Sequence, residues 1–216
     1  MSITTNAELK TAIASWLARS DLTTYLQDFI TLGTQRIYYG SENPQYPSEP
    51  LRIRAMETNV DITIDAETEA LPTRFLGVRN FYLNTNPKTP LDPVTPETRV
   101  NTYAGSTTGK PLVYSIEADN FVFGPAPDAT YTGKLLYYQK PADLSADADT
   151  NTVLTSFPGL YLYSALLEAM LFIRNDGRLP LCWSLFQAAA NAAQGANVLD
   201  RYSSGQLVVK TQVGNP

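Results

Sequence analysis

With 216 residues, 44% of them hydrophobic, the chain is long enough to bury a real core as one domain or two small ones. Sixteen Lys and Arg against twenty-one Asp and Glu give a net charge of −5, which excludes a broad electrostatic grip on nucleic-acid phosphates. Histidine is absent, so Ser-His-Asp triads, Cys-His dyads and histidine metal ligands are excluded together, and a single cysteine, Cys182, forbids an internal disulfide.

The N-terminus is too polar for a secretory leader, and no apolar run approaches the roughly 20 residues of a membrane helix, so a soluble protein made in the cytoplasm and independent of membranes is expected. Thr5 followed by Glu8 forms a capping box, and Leu9, Ile13, Trp16 and Leu17 then share one helical face. A second helix is expected after a cap at Ser20 or Asp21. Its stripe is Leu26, Phe29, Ile30, Gly33 and Ile37, and Gly40, Pro44 and Pro47 stop it.

From Leu51 the period changes to two. Val60, Ile62 and Ile64 alternate with Asp61, Thr63 and Asp65, and "FLGVRNFYL" and "LVYSI" are shorter strand candidates. "NFVFGPAPDATYTGKLLYYQKP", Asn120 to Pro141, reads as two strands paired across a proline-rich connection too long for a two-residue turn. "SADADTNT" is biased enough for a flexible linker. Helical period returns in "LYLYSALLEAMLFIRNDG", apolar nearly all round and hence central, with Gly177 placed to end it in the left-handed conformation. The last helix is rich in alanine, and Cys182 sits in its apolar opening as a buried, inert thiol. Beyond Tyr202, "QLVVKTQV" is strand-like without a nearby partner, a segment either tucked into its own sheet or donated to a neighbour.

The fold class is therefore α+β: a helical bundle formed by N- and C-terminal helices and interrupted by an inserted antiparallel β domain. The expected segments are a helical hairpin over 1–40, a β domain over 51–145, completing helices over 155–202 and an extended tail over 203–216.

No motif carries catalysis. Asp61, Asp65, Glu67 and Glu69 crowd within nine residues, but a solvated strand face explains them better than a catalytic pair. "GSTTGK", Gly105 to Lys110, has one residue too few between its glycines and Pro111 where a phosphate loop needs Ser or Thr. "DADTN", Asp147 to Asn151, opens like a calcium loop but places Thr152 where glycine belongs and Pro158 where glutamate belongs. No catalytic, cofactor or metal residue is assigned. Thirteen tyrosines suit subunit interfaces, since each supplies large contact area at small entropic cost.

Taken together, "LKTAIASWLARSDLTTYLQDFITLGTQRI", "LRIRAMETNVDITI", "GKPLVYSIEADNFVFGPAPDATYTGKLLYYQKPADLS" and "TNTVLTSFPGLYLYSALLEAMLFIRNDGR" resemble the head-to-tail adaptor proteins of tailed bacteriophages, especially short-tailed ones. The resemblance spans roughly Leu9 to Tyr202 and rests on the order and spacing of ordinary residues. It implies a non-enzymatic virion part without cofactor: a homo-oligomeric, typically twelvefold ring beneath the portal protein. Such a ring extends the DNA channel, lets DNA pass without specific binding, and offers a platform for tail nozzle or fibre proteins. It also implies that the C-terminal segment, Gln206, Leu207, Val208, Val209, Lys210, Thr211, Gln212 and Val213, reaches the portal. The rival reading is a peripheral tail or fibre-attachment module that binds carbohydrate on sheet aromatics such as Tyr137 and Tyr138; a carboxylate-only hydrolase is a distant third.

Overall fold

The computed structural model of the chain describes residues 2–103, 108–174 and 177–202. The chain is α+β and separates into two compact units, one built from residues up to Ala55 together with those from Pro141 on, the other from Met56–Lys140.

In the helical unit, α1 spans Asn6–Leu17 and opens on the expected capping box, with Thr5 Oγ1 accepting from the Glu8 backbone and Glu8 reaching back. Leu9, Ile13 and Leu17 are buried, but Trp16 is 45% exposed. Helix α2, Leu26–Tyr39, starts later than the sequence suggests, because a 3-10 turn at Thr23–Tyr25 intervenes and no side chain caps it. Neither Ser20 nor Asp21 serves as the cap; Asp21 instead pairs with Arg19 at 2.6 Å. The helix ends where expected, at Gly40, whose φ of 79° favours glycine.

Helix α4, Thr152–Ser156, is capped by Asn151, and α5, Pro158–Ile173, packs against α1, α2 and α4 as well as α6, Leu179–Tyr202. Helix α5 is buried along most of its length, as its composition predicts. Its end differs: the C-cap is Arg174, at φ 60° and ψ 142°, three residues ahead of Gly177. At the α2–α5 crossing, a Cβ on Gly33 would lie 2.8 Å from the Ala165 backbone nitrogen, so only glycine permits that approach.

"SADADTNT" is no linker. The backbone of Asn6 donates to Asp149 O at 2.9 Å, that of Ala7 to Asp147 O at 3.0 Å, and Lys10 pairs with Asp147. Composition suggested a loose segment, whereas short polar residues here supply the acceptors for the orphan N–H groups at the start of α1.

Among the described residues the β unit holds two four-stranded sheets. The first, in the order β1-β10-β3-β4, comprises β1 (Glu57–Ile64), β10 (Tyr131–Gln139), β3 (Phe75–Leu83) and β4 (Thr89–Pro90). The second, β2-β8-β7-β5, comprises β2 (Thr68–Ala70), β8 (Asn120–Gly124), β7 (Val113–Glu117) and β5 (Asp92–Pro93). A short parallel pair joins β6 (Thr108–Gly109) to β9 (Ala126–Pro127).

The hairpin expected over Asn120–Pro141 does not form: β8 pairs with β2 and β7, and β10 with β1 and β3. Pro125 and Pro127 lack N–H groups to continue a ladder, and the chain passes through them from one sheet to the other. The inner faces meet in one core of Ile64, Phe81, Leu83, Leu135 and Tyr137 from the first sheet with Tyr114, Phe121 and Phe123 from the second. Alternation in β1 is as expected, with Val60, Ile62 and Ile64 on the core side.

Helix α3, Pro96–Thr102, was not anticipated, although Thr95, Pro96 and Glu97 spell a capped start with proline in the first turn. It brings Arg99 onto the second sheet, bonded to Ser115 Oγ at 3.0 Å, Glu117 Oε1 at 3.0 Å and Glu67 Oε1 at 2.9 Å. The Ser115 hydroxyl, and after it Arg99, hold the Glu117 carboxyl below its ordinary pKa. A depressed carboxylate contributes stability above its unfolded pKa and loses it as pH falls through the lower folded value. Glu117→Gln is therefore expected to be less stable than wild type at neutral pH, the gap closing in acid. Denaturant melts at the two pH values measure this.

Candidate interaction surfaces

Several buried polar groups of the helical unit are committed to its scaffold. Arg36 on α2 donates from Nε to Glu168 Oε1 on α5 at 2.6 Å and from Nη1 to the Tyr46 carbonyl at 2.9 Å, with the guanidinium 6% and the carboxylate 16% exposed. The hydroxyls of Tyr38 and Tyr161 bond each other, and Tyr161 also accepts from Asn151 Nδ2. Burial raises the pKa of both phenols, Tyr38 most strongly, so they stay neutral.

The acids singled out from sequence do not converge. Asp61 pairs with Lys134 across the first sheet, Glu67 with Arg99, and Glu69 accepts from the Ala66 backbone. Asp149 closes a turn by accepting from Ser145 and Ala146, whose hydrogen bonds lower its pKa. Among the described residues no cluster of three acidic or thiol side chains is arranged to hold a metal, and no helix is long and apolar enough to cross a membrane. Cys182 is buried at 2% exposure, as its apolar surroundings suggest. Gly105 and the segment Gln206–Val213 lie outside the described residues.

What remains is surface. Trp16, Tyr25, Leu32, Tyr39, Phe172, Leu181, Val198 and Leu199 are all exposed large apolar residues of the helical unit. Trp16 meets Tyr163 edge-on, and Phe172 lies against both Tyr25 and Phe29. Beside α6 runs a groove of about 540 Å³ between the helix and the loop that follows α2. Trp183 Nε1 and Gln187 Nε2 both donate to the Pro47 carbonyl and fix that loop. Phe186 lies deep in the groove, Glu42 and Asn191 line it, and Ser48 Oγ is buried there without a partner among the described residues.

Tyr137, proposed from sequence as part of a sugar platform, is 3% exposed and stacked on Phe75 at 5.7 Å. It points into the core while Tyr138 points away, so the two cannot form one platform.

Apolar helix faces and an amide-lined groove are the equipment of a structural part that works by contact. The model of the SU10 adaptor protein family matches residues 4–210, and the chain belongs to that family. It is a phage head-to-tail adaptor with a structural role, a component of the virion. No curated protein matches the chain.

Proposed function

We propose that the chain forms a ring, typically twelvefold, beneath the portal protein of a short-tailed phage, extending the DNA channel and giving tail nozzle or fibre proteins a platform. The family match over residues 4–210 carries this reading. In it the two helical segments are halves of one bundle and the β unit is an insertion between them. The exposed apolar residues of the helical unit suit contacts between copies, because removing such area from water contributes about 25 cal/mol per Å². The net charge of −5 suits a wall that DNA slides past without sticking. Gln206 to Val213, a strand-patterned segment whose one charged side chain is Lys210, are the residues assigned to the portal contact.

The test is co-purification with the portal protein of the same phage, using the full chain and a chain ending at Tyr202, followed by electron microscopy. A ring stacked on the portal is expected with the full chain, with weaker or absent binding for the shortened one. The shortened chain should keep its cooperative melting transition, because both compact units have their cores before Ser203. Failure of both chains to bind a correctly assembled portal would remove the reading.

A further inference from the structure

Two outward helix faces of the helical unit share a period. Tyr25, immediately before α2, and Leu32 and Tyr39 on it recur every seven residues, and they are 44%, 48% and 59% exposed. Seven-residue spacing keeps side chains on one stripe of a helix. The stripe spans about 21 Å at 1.5 Å per residue, with Asp28 and Gln35 exposed between the three knobs. The chain's own core uses a different stripe of α2, Leu26, Phe29, Ile30, Gly33 and Ile37.

Helix α6 presents the converse shape. It has no charged residue from Leu179 to Leu199. Opposite its buried Cys182, Phe186 and Ala193, the exposed positions Leu181, Ser184, Ala188, Asn191, Gly195 and Val198 follow one another in steps of three and four. Large residues stand at the two ends and small ones in the middle, so the face is a shallow trough. Nothing in the chain lies within 4 Å of where a Cβ on Gly195 would stand, so no described contact inside the molecule calls for glycine there.

We propose that the α2 ridge of one copy seats in the α6 trough of the next, as the head-to-tail contact of the ring; this rests on the ring reading above. The shapes fit as knobs into holes, with Leu32 and Tyr39 over the small middle of the trough. Charge fits at one end: Asp28 stands on the ridge, and the exposed Arg178 lies just before α6 at the start of the trough. A trough of uncharged, mostly small side chains suits an apolar ridge, and this chain supplies one of matching period, with Asp28 the single charge along it. A seam about 21 Å long and 10 Å wide buries roughly 400–500 Å² in all, short of the ~1,200 Å² of a stable pair. In a closed ring each copy engages its ridge and its trough at once, so ring closure adds to what a single seam supplies.

The test combines cross-linking and charge insertion in the full chain. Leu32→Cys is paired in turn with Ser184→Cys, Ala188→Cys and Gly195→Cys, and the protein, concentrated or assembled on portal, is treated with a short bismaleimide. At least one pair is expected to give a ladder of linked copies, with each single-cysteine variant yielding about tenfold less. Tyr39→Glu and Gly195→Glu, both at exposed positions, are expected to keep the wild-type melting transition and lower the assembled fraction about tenfold. Full assembly of both glutamate variants with no ladder from any pair overturns the seam and leaves the ring standing. No assembly of wild type, alone or on portal, overturns the ring and the seam with it.

Discussion

Arg36→Ala is expected to destabilise the helical unit by about 3–5 kcal/mol, because it strands a carboxylate inside protein. Glu168 is 16% exposed, and Arg36 is its ion-pair partner at 2.6 Å. The same substitution takes from the Tyr46 carbonyl its Arg36 donor, loosening the loop after α2. A buried pair contributes little net stability over apolar side chains of similar size, because desolvation of both ions offsets their attraction. Arg36→Met with Glu168→Leu should accordingly recover most of the loss. Chemical denaturation of the single and double variants measures the difference; a single variant that melts like wild type would show that the pair is solvated in solution.

Phe121→Ala is expected to cost about 3–5 kcal/mol in the β unit, through lost burial and the cavity left behind. Phe121 is fully buried on β8 and contacts Phe75 and Phe81 of the opposing sheet together with Tyr114 of its own. The cost should be read in hydrogen exchange, as faster exchange of β7, β8 and β10 amides while those of α2 and α5 keep wild-type rates. Equal acceleration in both units would show that they unfold as one.

Local chemistry made several elements legible. The Thr5–Glu8 box, the stripe of α2 and the alternation of β1 each depend on neighbours a few residues apart, so the sequence displays them directly. Strand pairing does not work that way. Phe121 and Phe123 alternate inward, as do Leu135 and Tyr137, but the pattern marks a buried face without saying which sheet owns it. The two prolines between β8 and β10 were the available signal that the ladder breaks there. The same alternation argued against Tyr137 as a surface platform, since it shares its face with Leu135. Asn6 was hidden for another reason: it is fully buried, and its amide donates to Gln27 Oε1 and Ala146 O, the latter 140 residues away.

The exposed ridge of α2 was visible only by subtraction. Leu26, Phe29, Ile30, Gly33 and Ile37 account for the inner face, which leaves Leu32 and Tyr39, with Tyr25 beside Phe172, as exposed apolar residues recurring every seven positions. Assembly surfaces carry no chemistry that marks them in a sequence, and they emerge only once the core has claimed its own side chains.

Strands β1 and β10 have a consequence for how such a chain can change over time. The β unit begins at Met56 and ends at Lys140, and Glu57 lies directly opposite Tyr138 in the antiparallel ladder. Its entrance and exit therefore stand on adjacent strands, about 5 Å apart. A few residues could bridge that gap, so the whole module can be deleted, or replaced by another whose ends lie equally close, while residues up to Ala55 and from Pro141 on keep their connections. Exchange at this doorway is a route by which an adaptor could acquire a different β unit and keep its helical unit.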